Sequence, residues 1–134
     1  MKEKVALIGR IEELPTVDVS NFILGAEKRI VFGPDDRFWD SHVMRSFLLE
    51  PFSVAPPNKH PWVHWALCIG GEGKFIIDGT EYDIESGSWI HVPGNLEHTF
   101  WNTSKTEKLH IICIVPAEGD VNPLKDSCET RGFC

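Results

Sequence analysis

Six histidines carry the richest chemistry in this sequence: His42, His60, His64, His91, His98 and His110. Neutral imidazole is a common ligand for divalent zinc, iron, nickel and copper. His60 and His64 flank Pro61, Trp62 and Val63, and residues four apart on an extended strand point to the same face. Pro61 has no N–H to give a ladder, so it belongs at a strand start or edge. That places His60 at the mouth of a strand and His64 inside it. His98 follows the turn VPGNLE and opens the run HTFWN. A strand mouth, a strand interior and a strand that follows a turn can meet at one point in a β-barrel. His60, His64 and His98 are therefore predicted to hold one divalent transition ion, of the set iron, manganese, nickel, zinc or copper. Trp62 shares the face of its two neighbouring histidines, and Phe100 and Asn102 share that of His98. With His91, seven residues before His98, they are the expected pocket residues. Cys113 could also project toward the ion, although its apolar setting, IICIVP, favours a core thiol. His42 and His110 read as structural.

The elements that must position these groups are strands. Short apolar runs at 29–32, 43–49, 64–69, 74–77, 81–84, 88–92, 98–102 and 109–115 are separated by Gly, Pro, Asp and Asn. Within FIIDGTEYDI, Asp78 and Gly79 both tolerate positive φ and predict a two-residue hairpin. Eight or nine such strands imply an all-β barrel or jelly roll. Before them, residues 20–28 are the best candidate for a short helix, with Ser20 or Asn21 as its cap. The runs HWALCI and LHIICIV are apolar on both faces, so something must cover the outer side. The expected cover is a second subunit in a homodimer, and the competing one is the N-terminal segment.

Composition bounds the rest. The chain of 134 residues fits one domain, and 42% hydrophobic against 25% charged residues marks it as globular. A net charge of −7 argues against nucleic-acid partners, which need a basic face. No apolar run approaches the ~20 residues of a membrane helix, and the start, MKEKVALIGRIEELP, lacks the pattern of a signal peptide. A cytoplasmic protein with a small-molecule partner and no membrane partner is expected. Cys68 and Cys113 read as buried thiols, and Cys128 and Cys134 as free thiols on a polar tail.

The stretch from Asn58 to Asn102 resembles the paired motifs of the cupin superfamily. The second motif, Gly, five residues, Pro-x-Gly, two residues, His, three residues, Asn, finds Gly87, Pro93, His98 and Asn102 in register. Gly94 and then Asn95 stand where the motif has its displaced glycine. In the first motif Gly71 is the closing glycine, His64 stands at the glutamate position, and His60 is the second His of His-x-His. Asn58 replaces the first of that pair, and the opening glycine position falls on Phe52. MRSFLLEP and HPWVH further resemble small cupins in which four histidines form the site. The resemblance implies a double-stranded β-helix, the jelly-roll barrel, preceded by a short helical or extended segment over 1–28 and followed by a polar tail over 117–134. It implies Asn58 as a possible fourth ligand. It also implies a dioxygenase-like oxidation of a small enol, phenol, diketone or thiol at a three-histidine ion. The alternatives are a non-catalytic ligand-binding module and a metal-dependent isomerase or lyase, for which His91 and Glu97 are the nearest bases.

Overall fold

The computed structural model describes residues 6–20 and 23–120. Nine strands run through them: β1 (Thr16–Val17), β2 (Ala26–Phe32), β3 (His42–Leu49), β4 (His64–Gly70), β5 (Glu72–Ile77), β6 (Thr80–Glu85), β7 (Trp89–Val92), β8 (His98–Asn102) and β9 (Leu109–Pro116). They form a six-stranded sheet ordered β1-β2-β3-β9-β4-β7 and a three-stranded sheet ordered β6-β5-β8. The architecture is the all-β jelly-roll barrel expected from the punctuation of the chain. Alternation along the strands decides which residues face inward. In β4 His64, Ala66 and Cys68 are buried while Trp65, Leu67 and Ile69 are exposed. The inner face of β4 meets Phe47 and Leu49 of β3, Ile111 and Cys113 of β9, and Phe75 and Phe100 of the smaller sheet in one core.

The Asp78-Gly79 turn has φ of 49° and 81°, and Ile77 pairs with Thr80 across it, as a two-residue hairpin requires. The expected helix over 20–28 does not form among the described residues. Gly25 takes φ 72° and β2 begins at Ala26. Lys28 and Arg29 pair with Phe47 and Ser46 of β3, so pairing with a strand outweighs a weak local helical preference. The N-terminal stretch instead supplies a 3₁₀ turn at Ile11–Glu13 and the short strand β1. Cys128 and Cys134 lie outside the described residues. No helix among the described residues is long and apolar enough to cross a membrane.

The outer face of the larger sheet remains apolar. Trp65, Leu67 and Ile69 are 40–44% exposed and Trp89 is 77% exposed. Leu67 pairs with Trp89 and Trp65 with His91 across β4 and β7, so the four apolar side chains form one patch. Residues 6–14 lie elsewhere, against Val31, Phe32, Arg37 and Phe38. Contiguous patches of this kind are uncommon on soluble monomers, and a two-fold pair is the commonest way to bury one. Light scattering is expected to give about twice the 15.2 kDa of the chain. Trp65→Glu is expected to shift it to monomer, and an intact chain that stays monomeric at micromolar concentration would refute this.

Candidate metal centre

Local structure converges the three histidines. Pro61 keeps the chain out of the ladder until β4 begins at His64, which leaves His60 just above the strand. Asn58 forms an isolated antiparallel bridge with His98, closed by two backbone bonds, Asn58 N–H to His98 O at 2.9 Å and His98 N–H to Asn58 O at 2.8 Å. The turn before β8 is pinned as well, because the Asn95 N–H donates to His60 O at 2.7 Å. His60, His64 and His98 are 5%, 0% and 1% exposed. Their candidate ligand nitrogens lie within 4.8 Å of one another.

Hydrogen bonds set the tautomers. His60 Nδ1–H donates to Trp62 O at 3.0 Å, and His98 Nδ1–H to Leu96 O at 3.1 Å. Each leaves Nε2 with a bare lone pair, which is the usual arrangement behind a ligating histidine. His98 Nε2 lies 3.3 Å from His64 Nδ1, while His64 Nε2 is buried without a partner among the described residues. Burial, the largest cause, holds all three rings below their ordinary pKa, and Arg45 adds to it. His60 is pushed down to about 4. At neutral pH all three are therefore uncharged, the form that binds a cation. The donor set fits one divalent transition ion.

The remaining expected residues separate. Trp62 stacks on His60 with centroids 4.6 Å apart and planes 11° apart, so its ring covers one face of that imidazole. Asn58 shares the face of His98 across their bridge, but its Oδ1 accepts the Lys59 N–H at 3.0 Å. Its Nδ2, a donor, is buried without a partner among the described residues, and Oδ1 keeps a second lone pair. Phe100 lies one ring behind the cluster. Phe75 stacks on it at 5.4 Å and on His98 at 6.5 Å. Asn102 is withdrawn from the pocket altogether. Its Nδ2 donates to Leu49 O and Glu107 O, and its Oδ1 accepts the Ser104 N–H, so it staples the β8–β9 loop. His91 is exposed on the outer face beside Trp65, with centroids 6.4 Å apart. There it lines a separate hollow of about 530 Å³ with Tyr82 and Trp89. His42 stacks on Trp39, and His110 bonds the Ser46 hydroxyl at 2.6 Å.

Cys113 belongs to the core, fully buried. Burial pushes its thiol up to about 11, against the opposing pull of Arg45 and Lys28. Raised in the folded state, this pKa stabilises the fold below about pH 9, and that contribution is lost as pH rises toward 11. Iodoacetamide at pH 8 is expected to spare Cys113 in the folded protein and to alkylate it after unfolding; equal labelling in both states would contradict this burial.

Arg45, within the stretch MRSFLLEP, is a polar residue near the site to which the sequence alone assigns no role. Its signal is a charge on the inward parity of an otherwise apolar strand, VMRSFLL. It is 1% exposed and its Nε has no partner among the described residues.

Comparison with known proteins agrees with this geometry. A family model described as Cupin domain matches residues 45–115. The polyketide cyclase RemF from Streptomyces resistomycificus superposes with a TM-score of 0.71 at 18% identity, over 88% of this chain and 81% of that one. A predicted oxalate decarboxylase from Thermotoga maritima gives 0.72 at 20% identity, over 82% and 98%. A cupin-2 domain protein from Rhodospirillum rubrum gives 0.70 at 17% identity, over 96% and 86%. No curated protein matches the sequence. At these identities the likeness is one of fold.

Proposed function

The chain belongs to the cupin family, and from that premise we propose that it is a metal-dependent oxidoreductase of the dioxygenase type acting on a small molecule. The observation that supports this is the buried cluster of three uncharged imidazoles, two of them oriented by backbone carbonyls. Bound there, a divalent ion supplies Lewis acidity and, if it is iron, redox chemistry. The chain's own residues do the rest. His60, His64 and His98 bring no negative charge, so the ion's full charge is left to attract an anionic oxygen donor such as an enolate. Asn58 Nδ2–H would donate to that oxygen, and Trp62, stacked on His60, would shield that side of the site from water.

Elemental analysis of the protein as purified should find close to one transition ion per chain. The iron-loaded protein is expected to take up dioxygen with at least one of a panel of diketones, catechols and thiols. Two structural relatives bear the names of a cyclase and a predicted decarboxylase, so the panel is also run without oxygen. Anaerobic turnover would replace the proposal with an isomerase or lyase. Metal binding without turnover on any of the three classes would replace it with a ligand-binding module.

A further inference from the structure

Arg45 sits inside the barrel on the same inner face as His64. It pairs with Cys113, Cys113 pairs with Ala66 on the next strand, and Ala66 is two residues from His64. Two strand spacings separate the backbones by about 10 Å, a gap that an arginine side chain and a small ligand can close together. The guanidinium is always charged, and burying it is costly unless its donors are met. They are met in part. Nη1 lies 3.4 Å from Asp120 Oδ1, beyond a good hydrogen bond, while Lys28 Nζ takes that same oxygen at 2.8 Å. Nε makes no bond among the described residues, and the side chain otherwise meets the Cys113 thiol and rests over the Phe47 ring at 5.3 Å.

The buried side-chain polar atoms left over among the described residues are His64 Nε2 and three N–H donors. The donors are Arg45 Nε, Asn58 Nδ2 and Trp62 Nε1, each buried and without a partner among the described residues. A cationic ligand would leave them unmet and a neutral carbonyl would meet them weakly, whereas a carboxylate offers charged oxygens, with the planar fork of arginine its best receptor. Asp120 is already a carboxylate at that fork, and its side chain is 19% exposed against 1% for Arg45 and Lys28.

We propose that Arg45 is the specificity residue of this site, receiving the carboxylate of an acidic small-molecule substrate whose other oxygens face His60, His64 and His98. This rests on the reading above and names its substrate class. Asp120 holds the guanidinium until the substrate carboxylate takes its place.

The test uses the full chain treated with EDTA, so that metal plays no part, and calorimetric titration with malonate, succinate and benzoate beside the neutral malonamide. At least one acid is expected to bind, malonamide is not, and Arg45→Gln should weaken acid binding at least tenfold. Asp120→Asn removes the competing carboxylate and should tighten acid binding several-fold, an increase that a damaged fold would not produce. Should Arg45→Gln fail to fold, Arg45→Lys, with charge but no fork, should weaken binding instead. The proposal is overturned if none of the acids binds, if malonamide binds equally well, if the Arg45 variants bind as tightly, or if Asp120→Asn binds no more tightly. Acid binding in a protein that takes up no metal would sink the proposed function and leave this inference standing; metal without acid binding would do the reverse.

Discussion

A His64→Ala, His98→Ala double variant is expected to carry no stoichiometric metal after purification, where the parent chain carries close to one ion. Both rings are buried, with His98 Nε2 and His64 Nδ1 3.3 Å apart. Only His60 would remain, and it is the most exposed of the three. Loss of a residue that merely orients a ligand weakens metal binding roughly 10–100-fold, so loss of two ligands should exceed about 100-fold. The stability of the metal-free protein should move much less than its affinity. Truncation opens cavities in the core, but it also removes the unpartnered His64 Nε2. Metal content equal to that of the parent would show that the ion sits elsewhere. A narrower check is Leu96, whose carbonyl orients His98 through Nδ1–H. Substitutions there that keep the backbone in place should leave metal content unchanged, because the carbonyl and not the side chain does the orienting.

The histidine cluster was legible in the sequence because strand parity is short-range: two residues between turns share a face whatever the rest of the chain does. The glycine positions were legible for a similar reason. Asn95, standing where the motif has glycine, takes φ 66°, and Phe52, at the opening glycine position, takes φ 63°. The backbone thus keeps its left-handed turns although the side chains differ, and Phe52 bears the greater penalty because only Gly and, less readily, Asn and Asp visit that region easily. What parity could not show was partnership. Asn102 lies on the His98 face, yet a loop closes back on it and occupies its amide. His91 sits on a strand too short and too near a sheet edge for its face to be read from alternation. The role of Arg45 is not local, because its partners are distant in sequence, Cys113 across the ladder and Asp120 beyond it. The failed helix at 20–28 has the same root, since a neighbouring strand outweighed the local pattern.

Gly94→Ala is expected to have the largest effect of any single methyl group added near the site. A Cβ at Gly94 would stand 2.2 Å from the Pro61 carbonyl oxygen and 3.0 Å from its carbon. These are backbone atoms that cannot rotate away, so the turn or the His60–Trp62 segment must move by about 1 Å. Movement there strains the Asn95 N–H bond to His60 O at 2.7 Å. It also disturbs the His60 ring, which is held by the Trp62 carbonyl, and the His98 ring, held from the same turn by Leu96. Overpacking of this kind costs on the order of 1–3 kcal/mol, or roughly 5–10 °C in Tm for a chain of this size. Metal affinity should fall at least tenfold along with it. Gly87→Ala is the control. It sits at φ 97° with nothing within 4 Å of the added carbon, so it should cost only the left-handed penalty of about 1–2 kcal/mol and leave metal binding intact. Asn95→Gly, which relieves that same penalty at φ 66°, should be neutral or slightly stabilising. If Gly94→Ala melts and binds metal like the parent, the contact between the turn and Pro61 does not position His60. If Gly87→Ala loses metal as well, the centre is responding to global stability and not to this contact.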